Sequence, residues 1–120
     1  MRELREILMF KDYFQKFFET LESRVKTKVD EVLYMVSTLE RIPAKFFKKI
    51  EAVPGLFEIR IEYAGNIYRI FCCFDKRNLV VLFSGFQKKT QRIPLKELAK
   101  AKKIMKEYVD EQKQSNEVES

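Results

Sequence analysis

Phe10, Tyr13, Phe14, Phe17, Phe18 and Leu21 fall at i, i+3, i+4, i+7, i+8 and i+11, the spacing of one helix face turned to a core. Val25, Val29, Val32, Leu33, Val36 and Leu39 follow as a second stripe of helical period. The two predict a helical pair, or one long helix broken near Ser23. Ahead of Phe10, Glu6-Ile7-Leu8-Met9 is a candidate short first strand. The stretch RIPAKFFKKIEAVPG then interrupts the pattern, with Pro43 and Pro54-Gly55 as punctuation.

From Leu56 to Lys88 the period changes to two. LFEIRIEYAGNIYRIFCCFD predicts a hairpin about the turn dipeptide Gly65-Asn66. In the register this turn sets, Phe57, Ile59, Ile61 and Tyr63 oppose Phe74, Cys72, Ile70 and Tyr68 on one apolar face. A one-residue slip would mix the two faces, so the pattern selects against it. The other face carries Glu58, Arg60 and Glu62 beside Arg69, Phe71, Cys73 and Asp75. Glu62 is expected opposite Arg69, and Arg60 opposite Phe71, with Arg69 diagonal to it at about 7–8 Å. Taken alone, that face reads as a ladder of exposed salt bridges, each worth about 0–1 kcal/mol.

The third strand, from Leu79 to about Gln87, is apolar on both faces up to Phe83, as an interior strand would be. Gly85 is a candidate bulge, which leaves the facing of Lys88 and Lys89 open. Pro94 stands where a first helical residue belongs, ahead of the stripe Leu95, Leu98, Ala101, Met105 and Tyr108. After Val109, DEQKQSNEVES holds one apolar residue and is expected to be disordered. The prediction is an α+β domain over residues 1–109, followed by a polar tail, 110–120. In it an N-terminal helical pair packs on a small twisted antiparallel sheet and a C-terminal helix follows, with the helices expected on one sheet face.

The chain's 120 residues suffice for one domain and its core. Its net charge of +6 is unevenly spread: in the tail Asp110, Glu111, Glu117 and Glu119 face Lys113 alone. Between Lys88 and Lys106 eight bases stand against the single acid Glu97. A solvated lysine-rich helix face is one reading of this block. A polyanion-binding surface, with Arg92, Lys96, Lys100 and Lys103 continuing from the strand end, is the other. No apolar run exceeds five residues, too short for a membrane span, and MRELREILMF mixes both charges unlike a secretory signal. Cys72 and Cys73 are adjacent and would point to opposite sheet faces, which suits free thiols in a reducing cytoplasm. With no histidine and no CxxC spacing, neither a metal site nor a cofactor is expected.

Four segments in order resemble the RelE/HigB superfamily of bacterial toxin–antitoxin toxins, in particular its phage-related branch. They are Leu56-Phe57-Glu58-Ile59-Arg60, Tyr68-Arg69, the Gly-Phe-x-Lys-Lys-Thr-x-x-x-Pro segment from Gly85 to Pro94, and Glu97, Ala101 and Tyr108 of the last helix. Ile42-Pro43 and Lys48 or Lys49 extend the likeness, which covers about Phe10 to Tyr108. Where many branch members have His or Asn before the Gly-Phe, this chain has Ser84, and any imidazole acid or base is excluded.

The resemblance implies a RelE-like fold and a toxin that cuts mRNA in the ribosomal A site, halting translation. It implies a cognate helix-turn-helix antitoxin as partner, in a toxin–antitoxin hetero-oligomer. A ParE-like inhibitor of DNA gyrase, or a weakly active member serving as a co-repressor module, are the alternatives. RNA cleavage of this kind uses the RNA 2′-hydroxyl as nucleophile, so the protein has to align the phosphate, neutralise its charge and move protons. Arg60 and Arg69 suit the charge, since the guanidinium fork grips two phosphate oxygens and stays ionised. Lys88 and Lys89 would complete a cationic cradle, and a lysine desolvated among cations can join in proton transfer. Glu58 is read as general base or, preferably, as the partner that orients Arg60. Tyr68, Ser84 and Tyr108 are further candidates, although Tyr68 lies on the apolar face, where a core role is the favoured reading.

Overall fold

The computed structural model describes residues 3–76, 78–89 and 92–119, excluding the side chains of 116–119. In chain order these form β1 (Glu6–Met9), α1 (Tyr13–Glu19), α2 (Ser23–Thr38), β2 (Phe47–Lys49), β3 (Phe57–Tyr63), β4 (Asn66–Asp75), β5 (Leu79–Lys88) and α3 (Leu95–Glu119). This is the α+β fold that the sequence predicts. The strands make one five-stranded sheet in the order β1-β5-β4-β3-β2. The sheet is mixed rather than wholly antiparallel, because β1 runs parallel to β5. The helical pair carries the chain from β1 at one edge to β2 at the other. β2 itself falls in the stretch that the sequence pattern left without an element.

The first stripe divides as the pair alternative requires, with α1 ending at Glu19 and Phe10 left ahead of it in the turn from β1. Along α2, Val25, Val29, Val32 and Val36 are buried against Ile59, Ile61, Ile70, Val80 and Leu82. β-Branched residues are indifferent helix formers, so this packing rather than propensity stabilises α2. Arg5 closes its C-terminal end. Nη1 donates to the carbonyls of Val36 at 3.0 Å and Leu39 at 2.6 Å, and Nη2 to that of Glu40 at 2.9 Å. A cation there meets the negative end of the helix dipole and the last free carbonyls.

The helices do not share one sheet face. Ala101, Ile104 and Tyr108 of α3 pack with Phe10 on the opposite face, against Phe71, Cys73, Val81 and Phe83. The reason is in the strands: β4 and β5 are apolar on both sides here, so each side needs a cover. Both cysteines are free and buried, with burial pushing the Cys73 thiol up to about 12. The helix also runs on to Glu119, through the tail expected to be disordered, while Ser120 lies outside the described residues. Residues 95–119 contain no glycine or proline, and Lys106 pairs with Asp110 at 2.7 Å. Lys11 bridges Glu107 and Glu111, each at 3.2 Å, and Tyr13 donates to Glu107 at 2.8 Å. These contacts clasp α3 to the β1–α1 turn.

The hairpin turns one residue earlier than predicted. Ala64 and Gly65 have φ of 50° and 81°, the two positive values of a type I′ turn, whose second position favours glycine. Phe57 therefore faces Cys72 rather than Phe74, Glu62 faces Ile67 rather than Arg69, and Arg60 faces Arg69 rather than Phe71. Every side chain keeps its predicted face, since the two registers differ by two residues. In β5 the pairing jumps from Cys72↔Leu82 to Ile70↔Gly85, so Phe83 and Ser84 together oppose Phe71. This is the bulge, one step before the glycine. Beyond it Gly85 faces α1, where a Cβ would lie 2.5 Å from the Phe17 ring. Gly85→Ala is expected to lose about 1–3 kcal/mol in urea unfolding, and Phe17→Leu in the same chain to recover part of it.

Candidate phosphate-binding site

Beyond the end of α3's cover, the hairpin end of that face is open and cationic. Arg60 and Arg69 face each other across the β3–β4 ladder, and Lys88 pairs with Ile67 on the same side. Lys88 reaches this face only because of the bulge, which reverses the alternation of β5 after Phe83. Lys48 of β2 stands opposite Glu58 and so also joins this face. A depression of about 790 Å³ is lined by Lys48, Arg60, Arg69, Lys88 and Lys89, with Asn66, Ile67 and Gln87 at its turn side.

Beneath the cations lies a buried ion pair. Arg69 Nη1 donates to Glu58 Oε1, with Glu58 3% and Arg69 8% exposed. The register correction explains it: Glu58 sits diagonally from Arg69, whereas the predicted register set Glu62 directly opposite that arginine. Arg60 instead binds Glu62 on its own strand, Nη2 to Oε1 at 2.8 Å. Glu58 therefore orients Arg69, not Arg60. Glu58 Oε2, Arg69 Nε and Arg60 Nε have no hydrogen-bonding partner among the described residues. Two arginines facing directly across a ladder repel, and each is held in place by its own carboxylate. Burial, together with Arg69, Arg60 and Lys48, lowers the Lys88 pKa, against the opposing pull of Glu58.

The cradle residues Arg60, Arg69, Lys88 and Lys89 are thus brought together, with Glu58 as their support. The other candidates lie elsewhere. Tyr68 is buried on the α2 face among Ile61, Ile70 and Val29. Tyr108 is core at the opposite end of β4, T-shaped against Phe10 at 5.1 Å and donating to Asp75 Oδ2. Ser84 is buried in the bulge, its hydroxyl without a partner among the described residues. Arg92, Lys96, Lys100 and Lys103 are exposed, and none of them lines the depression. Lys100 and Lys103 border a separate hollow with Lys11, Tyr13 and Glu107. Thr90 of the Gly85–Pro94 segment lies outside the described residues. Lys48 joins the site although the sequence pattern gave it no role; reading FKK as a strand would have set its parity with Glu58.

Among the described residues no cluster of acidic or cysteine side chains has a metal-holding arrangement, and no helix is long and apolar enough to cross a membrane. Residues 16–106 match the family model described as "Phage derived protein Gp49-like (DUF891)". No curated protein matches the chain.

Two variants test the electrostatics. Glu58→Gln leaves Arg69 buried without its counter-charge and is expected to cost about 3 kcal/mol by denaturant titration, more than Glu62→Gln at the exposed pair. Lys88→Met should act in the opposite direction. Lys88 has its pKa below the ordinary 10.5, so between the two values the unfolded chain binds more protons and stability rises with pH. The variant should therefore be the more stable protein at neutral pH, and its advantage should fade as pH rises toward 10.5.

Proposed function

Because the chain belongs to the Gp49-like family, a RelE-like toxin family of toxin–antitoxin systems, we propose that it is a toxin that cuts mRNA in the ribosomal A site without a metal ion. The observation that carries this reading is the convergence of Lys48, Arg60, Arg69 and Lys88 on one open depression over a buried carboxylate. The RNA 2′-oxygen attacks the adjacent phosphorus and the bond to the 5′-oxygen breaks. The products are a 2′,3′-cyclic phosphate and a 5′-hydroxyl, the proton lost from the 2′-oxygen balancing the one gained by the leaving oxygen. Arg60 and Arg69 neutralise the charge that develops on the phosphoryl oxygens, and Glu58 fixes Arg69 beforehand. Lys88, its pKa lowered, is the group suited to proton transfer. Lys48 and Lys89 add positive potential.

The composition of the depression supports the ribosome-dependent reading. Its described lining residues are cationic, amide and aliphatic, with no aromatic ring among them for a base to stack on. Such a cradle can hold a phosphate but cannot by itself bring a flexible strand into line. A ribosome that already orders the codon would supply that alignment.

Cleavage of a defined mRNA during in vitro translation tests the assignment. Arg60→Ala and Arg69→Ala should each slow cutting by about a hundredfold, and Lys88→Ala by at least tenfold. Lys103→Ala, outside the depression, should cut at the parent rate. Parent-like cutting by folded Arg60→Ala and Lys88→Ala proteins would remove the cradle from the mechanism.

A further inference from the structure

A second surface, distinct from the cradle, joins an apolar floor to a cationic rim. Along the outer side of α3, Ala99, Met105 and Val109 form an apolar floor that Val53 and Pro54 close on the far side. Val109 is 41% exposed, and Pro54 and Ala99 are exposed as well. Lys102, Lys103, Lys106 and Lys113 rim this groove, against one acid, Asp110. Asp110 is already matched by Lys106 at 2.7 Å, while Lys102, Lys103 and Lys113 form no ion pair among the described residues. The groove shares no residue with the phosphate-binding depression.

We propose that this groove docks an amphipathic acidic helix of a partner protein. The apolar floor calls for a stripe of aliphatic side chains, and the lysine rim for carboxylates on both flanks of that stripe. The walls decide between a helix and an extended peptide. One wall is the side of α3, whose backbone groups are engaged within the helix, and the other includes Pro54, which has no N–H. Val53 already uses its N–H toward Ile50 and its carbonyl toward Leu56, so an extended segment would find few backbone partners there, whereas a helix satisfies its own. From Ala99 to Lys113 the floor follows α3 for about 21 Å, enough for a partner helix of about four turns. Phosphate chemistry does not fit an apolar floor, so RNA is the less suitable occupant. The inference rests on the toxin reading only in naming the antitoxin as the source of that helix.

The test uses the full chain and two synthetic helical peptides of matched leucine stripe, one otherwise rich in Glu and the other in Lys, titrated by fluorescence anisotropy. The Glu peptide should bind with an affinity that falls as salt rises, and the Lys peptide should not bind. Val109→Asp and the pair Lys102→Glu, Lys113→Glu are exposed substitutions that should each weaken the Glu peptide by about tenfold or more. Both variants should still cut translated mRNA at the parent rate. Equal binding of the two peptides, no binding, or affinity unchanged in the groove variants and lost in Arg60→Ala would each overturn the proposal. Peptide binding by a protein that cuts no mRNA would leave the groove standing and remove the nuclease reading. Cutting without peptide binding would do the reverse.

Discussion

One extra residue in β5 governs what both faces of the sheet present. At Phe83-Ser84 the strand carries two residues against the single Phe71. Before that point β5 alternates between the two cores, Val80 and Leu82 toward α2, Val81 and Phe83 toward α3. After it the alternation is reversed. Gly85 then lies under the Phe17 ring, where only a residue without Cβ fits, and Lys88 comes up beside Arg69. Without the bulge the lysine would point to the α1–α2 side and the cradle would lose its proton-transfer candidate.

The cradle is at odds with stability, and the rest of the fold compensates. Arg60 and Arg69 oppose each other, Lys88 is held against both, and Glu58 is committed to Arg69 in a nearly dry position. A surface selected only for folding would not gather four cations over one buried carboxylate. The compensation is visible on both sides of the sheet: the valine stripe of α2 over Ile59, Ile61 and Ile70, and the aromatic seam of Phe10, Phe83 and Tyr108 under α3. These cores cover β4 on both faces and pack β3 and β5 beside it, a support that suits a preorganised phosphate site.

Period-two alternation made the faces of β3 and β4 legible, and with them the grouping of Glu58, Arg60 and Arg69. It could not give their partners, because registers two residues apart look identical to it. The choice lay in the turn, where Gly65 takes the second central position rather than the first. That small difference converts an exposed Glu62–Arg69 pair into a buried Glu58–Arg69 pair, and so changes which carboxylate matters. β2 was hidden because FKK is short and edge-placed, and the facing of Lys48 was hidden with it. The second-face position of α3 was implicit in the doubly apolar β4 and β5, but no local pattern says which helix covers which side. Past Val109 the polar composition reads as disorder, while the helix continues on good helix formers and the Lys11 clasp to Glu107 and Glu111.

The central claim is that this cationic face breaks RNA by using the substrate's own 2′-hydroxyl, aligned by the ribosome. The most direct measurement is to treat one defined mRNA with the protein in a translating extract and as naked RNA, then determine the chemistry of the new ends. Cuts at A-site codons only in the translating reaction, leaving 2′,3′-cyclic phosphate and 5′-hydroxyl termini, are the predicted result. Equal cutting of naked RNA, 3′-hydroxyl ends, or intact mRNA in both reactions would contradict it.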